Sequence, residues 1–200
     1  PCTSKKQKMR KFLTALFLSM SLSVFAQETG IQFTNDSILS EALSKSAKEG
    51  KLLFIDCYTT WCGPCKQLAK EVFTQKEVGY FYNQNFVNVK FDMDKSENAS
   101  IISKYTIDGF PTLLFFFFFG EMVHKKVGAD DAAHIIEVGK IAIDSTRNFI
   151  GLSNKIKKGD RTVETISQYL NANFNGNNKD SILNDYFKSK TDQELLSKES

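Results

Sequence analysis

Leu52-Leu53-Phe54-Ile55-Asp56-Cys57-Tyr58 is a mostly apolar run of strand formers, broken by Thr59-Thr60 and followed at once by Trp61-Cys62-Gly63-Pro64-Cys65-Lys66. An apolar run of this kind reads as a strand buried on both faces. Beyond the cysteines, Lys66 to Phe73 places Leu68, Ala69, Val72 and Phe73 at helical spacing. Cys62 therefore stands at a strand-to-helix junction, with Pro64 in the first helical turn, where its missing N–H costs little. The free N–H groups and the positive dipole end of a helix favour a thiolate over a thiol. Cys62 is expected to be the nucleophile. Cys65, about one turn further on and on the same side, is the expected resolving thiol. Such a pair can open and close a disulfide with little backbone movement.

Two other uses of the pair compete with redox exchange: a structural bridge, or half of a zinc site. Tetrahedral zinc needs two further ligands at suitable spacing. Cys57 lies on the strand, and His124 and His134 stand apart with no paired motif. No metal is therefore expected. No nucleotide, flavin or haem signature is present either, so no cofactor is expected beyond the Cys62–Cys65 pair, and electrons must come from another protein.

These residues resemble the active site of the thioredoxin superfamily, and the resemblance runs from about Ser37 to Val138. Val89-Lys90-Phe91-Asp92-Met93-Asp94 resembles the family's next strand, Tyr105 to Leu113 its loop with a cis-proline, and Val127-Gly128-Ala129 its last strand. The stretch Phe73 to Val78, with Asn85-Phe86-Val87, is similar to the carboxy-terminal periplasmic domain of membrane disulfide reductases. The resemblance implies a thioredoxin-like three-layer α/β sandwich, a mixed sheet flanked by helices. It casts Cys62, Cys65 and Asp56 as catalytic and Lys90 as a support near Asp56, with an ordinary exposed strand lysine as the alternative for Lys90. Asp56 would be the buried acid beneath the redox helix, its pKa raised by burial and suited to proton exchange with Cys65; a strand-end aspartate reaching solvent is the alternative. Trp61, Gly63, Pro64, Phe110 and Pro111 would form the substrate-binding surface, with Pro111 cis. Trp61 would either shield the disulfide and offer a contact face or simply pack. Cys57 reads as a small buried hydrophobe rather than a third redox thiol.

The 200 residues, 42% hydrophobic, suffice for one domain with a sizeable core and something left over. A net charge of +3 gives no support to nucleic-acid binding. Lys5, Lys6, Lys8, Arg10 and Lys11 precede the apolar run Phe12 to Phe25, which closes on Val24-Phe25-Ala26. A basic region, a short apolar core and a small-residue site read as a secretory signal peptide. Residues 1–26 are thus expected to be upstream sequence plus signal, and the mature protein to be exported to a periplasm or cell envelope, where disulfide exchange has substrates.

The remaining chain is expected to follow in order. Ser37 to Ala47 reads as a helix ended by Gly50, Glu77 to Asn85 as helix or turn, and Asn98 to Tyr105 as a short helix. Thr112 to Phe119 and Glu121 to Val127 read as a hairpin turned at Gly120, and Asp130 to Val138 as the closing helix. Residues 27–138 would form the thioredoxin-like domain. Residues 139–200 read as a C-terminal extension of several short amphipathic helices, broken at Lys157 to Asp160 and Asn173 to Lys179, and incomplete at the chain end. The phenylalanine run from Phe115 to Phe119 departs from the family, which carries polar turn residues where Phe118 and Phe119 stand.

The function implied is an exported thiol-disulfide oxidoreductase that reduces client disulfides. Its partners would be client proteins with thiols or disulfides and a protein electron donor such as a membrane disulfide reductase, without nucleic acid or metal. A disulfide oxidase or isomerase, or a non-catalytic binding module on the same fold, are the alternatives.

Overall fold

The computed structural model describes residues 30–35, 38–172 and 179–188. The expected signal peptide, Ser37, the break at 173–178 and the chain end after 188 lie outside the described residues. Five strands form one sheet in the order β1-β3-β2-β4-β5: β1 (Phe33–Thr34), β2 (Leu52–Tyr58), β3 (Phe86–Asp92), β4 (Thr112–Phe116) and β5 (Met122–Val127). β1 and β2 both pair with β3 in parallel, whereas β4 runs antiparallel to β2 and to β5. The sheet is mixed, as expected.

Side chains alternate across β2, and the two faces are covered by different helices. Leu53, Ile55 and Cys57 join Val87, Val89 and Leu114 under α1 (Leu39–Glu49) and α4 (Ala99–Lys104). Phe54 points the other way, into a cluster with Leu68, Phe73, Tyr82, Phe115 and Ile135. That second layer is made by α2 (Gly63–Gln67), a π-helical turn (Leu68–Val72), α3 (Lys76–Asn85) and α5 (Ala132–Ile143). Phe54 stacks on Phe115 at 5.1 Å between ring centroids and meets Tyr82 edge-on at 4.8 Å. The Tyr82 hydroxyl donates to the Ile135 carbonyl (2.8 Å), so the one polar atom in this aromatic layer is satisfied.

Several boundaries differ from expectation. The helix after the cysteines is not uniform: α2 gives way to the π turn, in which the Phe73 N–H bonds the Leu68 carbonyl. The wider turn keeps Leu68, Val72 and Phe73 all buried, and the Thr74 and Gln75 side chains bond the Lys70 and Glu71 carbonyls near its end. In α1, Gly50 closes the helix in the left-handed conformation as expected, and Ala42 and Ser46 are its buried residues. β4 stops at Phe116 instead of Phe119, where a register irregularity with β5 lets the Phe117 N–H reach the Glu121 carbonyl and starts the turn. Val127 ends β5 and Gly128-Ala129 lie outside it. The closing helix runs on to Ile143, past Val138.

The lead-in before α1 supplies the edge strand β1. It crosses α3 at two glycines: a Cβ on Gly79 would fall 2.2 Å from the Gly30 backbone. The Ile31 N–H then bonds the Phe73 carbonyl at 2.7 Å. Beyond α5, α6 (Phe149–Lys157) and α7 (Val163–Ala172) pack through Leu152, Ile156, Ile166 and Tyr169, and α8 (Lys179–Lys188) follows. Among the described residues, no helix is long and apolar enough to cross a membrane.

Candidate active site

The site lies where β2 ends. The Cys62 N–H bonds back to the Thr59 carbonyl (3.3 Å), which turns the chain out of the strand and leaves Cys62 as the N-cap of α2. Cys62 and Cys65 are joined in a disulfide, S–S 2.06 Å. The Cys65 backbone N–H donates to the Cys62 Sγ at 3.1 Å, so a helix N-terminal donor is aimed at that sulfur. Cys62 and Cys65 are 4% and 5% exposed, while Gly63 and Pro64 between them are exposed. Pro64 stands in the first turn, as its missing N–H allows.

A residue not singled out in the sequence holds this loop in place. Asp94, in the turn after β3, accepts from the Thr60 N–H (2.9 Å), the Thr60 hydroxyl (2.8 Å) and the Trp61 Nε1–H (3.1 Å). These donors, the Thr60 backbone N–H first, hold its carboxyl below the usual range. Trp61 is thereby pinned while 71% exposed, and its ring meets Phe110 edge-on at 6.0 Å. It does not pack into the core but stands exposed beside Phe110. Phe110 is half-buried, Pro111 is buried, and the peptide bond between them is cis. The Gly128 N–H donates to the Pro111 carbonyl (2.8 Å), tying this loop to the segment after β5. The structure thus brings Phe110, and with it the cis bond to Pro111, against Trp61, the residue that precedes Cys62, while Gly63 and Pro64 lie between the bridged cysteines.

Asp56 lies beneath. It is 2% exposed, and its Oδ2 is 3.3 Å from the Lys90 ammonium on the neighbouring strand β3. Loss of water pushes the carboxyl up to about 6, while the charge and hydrogen bond of Lys90 pull it down. Its other oxygen, Oδ1, is buried with no hydrogen-bond partner among the described residues. A cavity of about 230 Å³ is lined by Asp56, Lys90 and Cys65 together. Asp56 is thus a buried acid, not a strand-end group reaching solvent.

Cys57 is fully buried on the other face of the sheet, unbridged, and burial pushes its thiol well up. It is a small core side chain. His124 is half-buried in β5, and desolvation pushes it down to about 4. His134 instead meets Asp130 and Asp131 at the start of α5, their ligand atoms lying within 4.8 Å of one another. Helix capping accounts for that group: Asp131 accepts from the His134 N–H at 2.9 Å and faces its Nδ1 at 3.0 Å.

The profile of a family described as Thioredoxin matches residues 31–140. The chain belongs to the thioredoxin family. It is 36% identical over 106 residues to a thioredoxin-like protein of Synechocystis, covering 53% of this chain and 90% of that protein. It is 30% identical over 118 residues to the thiol:disulfide interchange protein DsbD of Colwellia psychrerythraea, covering 54% of this chain. That match spans 19% of the DsbD protein, so the likeness is to one portion of it. The solution structure of a proposed disulphide-isomerase from Bacteroides thetaiotaomicron is similar at 46% identity and a TM-score of 0.54, covering 60% of this chain and 98% of the other. The chain is a thioredoxin-like disulfide oxidoreductase carrying its cysteine pair in the bridged form. The expected architecture, a flanked mixed sheet with further helices after it, is the one observed.

Asp94 had a signal in the sequence that composition hides. It stands in the turn that follows the strand paired with β2, and that turn lies beside the loop that carries Trp61.

Proposed function

We propose that this chain is an exported thiol-disulfide oxidoreductase that reduces disulfides of client proteins. The observation that carries this reading is the cavity shared by Asp56 and Cys65 directly beneath the bridge. In the reduced form, the Cys62 thiolate attacks one sulfur of a client disulfide. The client bond breaks, a Cys62–client bond forms, and the departing client thiolate takes a proton. Asp56 accepts the proton of Cys65, whose sulfur then attacks the Cys62 Sγ. The client's second thiolate leaves, and the pair is left oxidised as in the structure. Two electrons have passed to the client, and a protein donor returns them. The bridge itself is the only redox group the cycle uses.

The exposed Trp61 with Phe110 and Pro111 supplies the surface against which an extended client segment docks. The basic and apolar leader supports export, and the name of the Colwellia relative supports thiol-disulfide interchange. The Gly63-Pro64 pair, which resembles that of reducing family members, supports the direction. The Bacteroides likeness favours a second reading, an isomerase.

The deciding measurement is the midpoint potential of the Cys62–Cys65 pair, equilibrated against dithiothreitol or glutathione and read by thiol alkylation. A value near about −270 mV is expected for a reductase, and one near about −120 mV would make the chain an oxidant. Recovery of activity in a scrambled multi-disulfide protein would select the isomerase. With no reversible couple, only the binding-module reading survives.

A further inference from the structure

Lys90 is not held by Asp56 alone. Its ammonium lies 4.8 Å from the ring centre of Phe33, 5.5 Å from that of Tyr58 and 5.6 Å from that of Phe73. The rings come from three separate places in the chain: the edge strand β1, the end of β2 and the end of the π turn. Phe33 and Phe73 touch each other at 5.5 Å between centroids, so the box is closed on that side. A lysine ammonium is strongly hydrated and carried on a flexible stem, and at an edge such as this it ordinarily extends into water. Here its side chain is 30% exposed and turned inward to the carboxylate.

We propose that Phe33, Tyr58 and Phe73 form an aromatic box that positions Lys90 against Asp56. Phe33 is its decisive wall, because it is the ring nearest the ammonium. The inference rests on Asp56 being the proton acceptor for Cys65, and it makes the three rings positioning residues for that step. It also gives the lead-in a purpose. The Gly30–Gly79 crossing and the Ile31–Phe73 hydrogen bond fix the strand that delivers Phe33.

A cation facing aromatic π clouds is held at lower cost than one against a plain apolar wall, so the box holds the Lys90 ammonium beside the carboxylate while limiting its access to water. The charge then acts on Asp56 at full strength. Among the described residues, other charged and titratable groups line the cavities beside this pair. Cys65 and Lys66 come from the redox helix and the Tyr58 phenol from β2 itself. Asp92, Lys95 and Glu97 surround the cavity on the outer side of Lys90.

The test follows the Asp56 carboxyl through its titration, by carbon NMR or infrared difference spectra, in the oxidised full chain. Phe33→Leu is expected to raise the midpoint by about half a pH unit, the size of one cation–π contact. Phe33→Tyr, which restores a ring, is expected to leave the midpoint in place. In a Lys90→Met background, Phe33→Leu is expected to add nothing. An unchanged or lowered midpoint in Phe33→Leu overturns the proposal. So does a shift of equal size with and without Lys90, because the ring would then act by burial alone. The oxidised protein does no turnover, so this result stands apart from client reduction. A failure to reduce disulfides with the titration as expected would sink the proposed function and leave the box intact.

Discussion

The two faces of the sheet meet at the peptide bond between Asp56 and Cys57. Both side chains are buried, and burial drives both toward their protonated forms. Their surroundings differ. Asp56 has an ammonium at 3.3 Å and shares a cavity with Cys65, whereas Cys57 is packed among residues such as Val89, Phe91 and Leu114. Burial by itself makes a group inert. A partner that can exchange a proton, and space in which to do it, turn the same shift into chemistry.

The contrast breaks most sharply at Asp56→Asn. The release step loses its proton acceptor, and single-turnover reduction of a client disulfide is expected to slow by about 100-fold at neutral pH. An unchanged rate would put Asp56 on the same footing as Cys57.

The same variant is expected to be the more stable protein. The carboxyl titrates near 3.8 when unfolded and near 6 when folded, so the folded state binds its proton more tightly. That advantage is complete at acid pH and disappears as pH rises through this window, leaving a buried charge above it. A shift of about 2 units corresponds to roughly 3 kcal/mol. Urea unfolding of Asp56→Asn should therefore show a gain of about 2–3 kcal/mol at pH 7.5 that is missing at pH 4. A gain independent of pH would mean that packing, not ionisation, separates the two proteins.

Cys57→Ser is expected to do the reverse. A hydroxyl placed in that apolar cluster costs about 1–3 kcal/mol of stability. The rate of disulfide reduction should stay within about twofold of the parent, since a merely packed side chain touches no reacting atom. Measured together, the two variants give one that is stable but slow and one that is weakened but fast. Slowing in Cys57→Ser would place a third thiol in the cycle and erase the distinction between the faces.

The sequence carried some of this and hid the rest. Strand β2 was legible because its seven residues are nearly all apolar, and Asp56 was conspicuous as the one charge among them. Cys62, Cys65 and Pro64 announced themselves by spacing at a strand-to-helix boundary. Lys90 and Pro111 were legible only through family resemblance, since a lysine at the end of a strand has no signature of its own. Phe33 was hidden because β1 has two residues, too few to show any period. The π turn was hidden because Leu68, Ala69, Val72 and Phe73 fit ordinary helical spacing equally well. The phenylalanine run concealed a boundary: Phe115 and Phe116 are core, and Phe119 is 63% exposed on the turn. One residue type repeated across both environments gives hydrophobic patterning nothing to read.

The chain contains one tryptophan, and it is the residue next to Cys62. Its indole is tethered by Asp94 and turned outward. Disulfide bridges quench a nearby indole's excited state by electron transfer, and thiols do so far less. The indole emission of this chain therefore arises beside the reacting bond. Opening and closing of the bridge can be followed in real time as brightening and dimming, with no dye attached and no residue replaced.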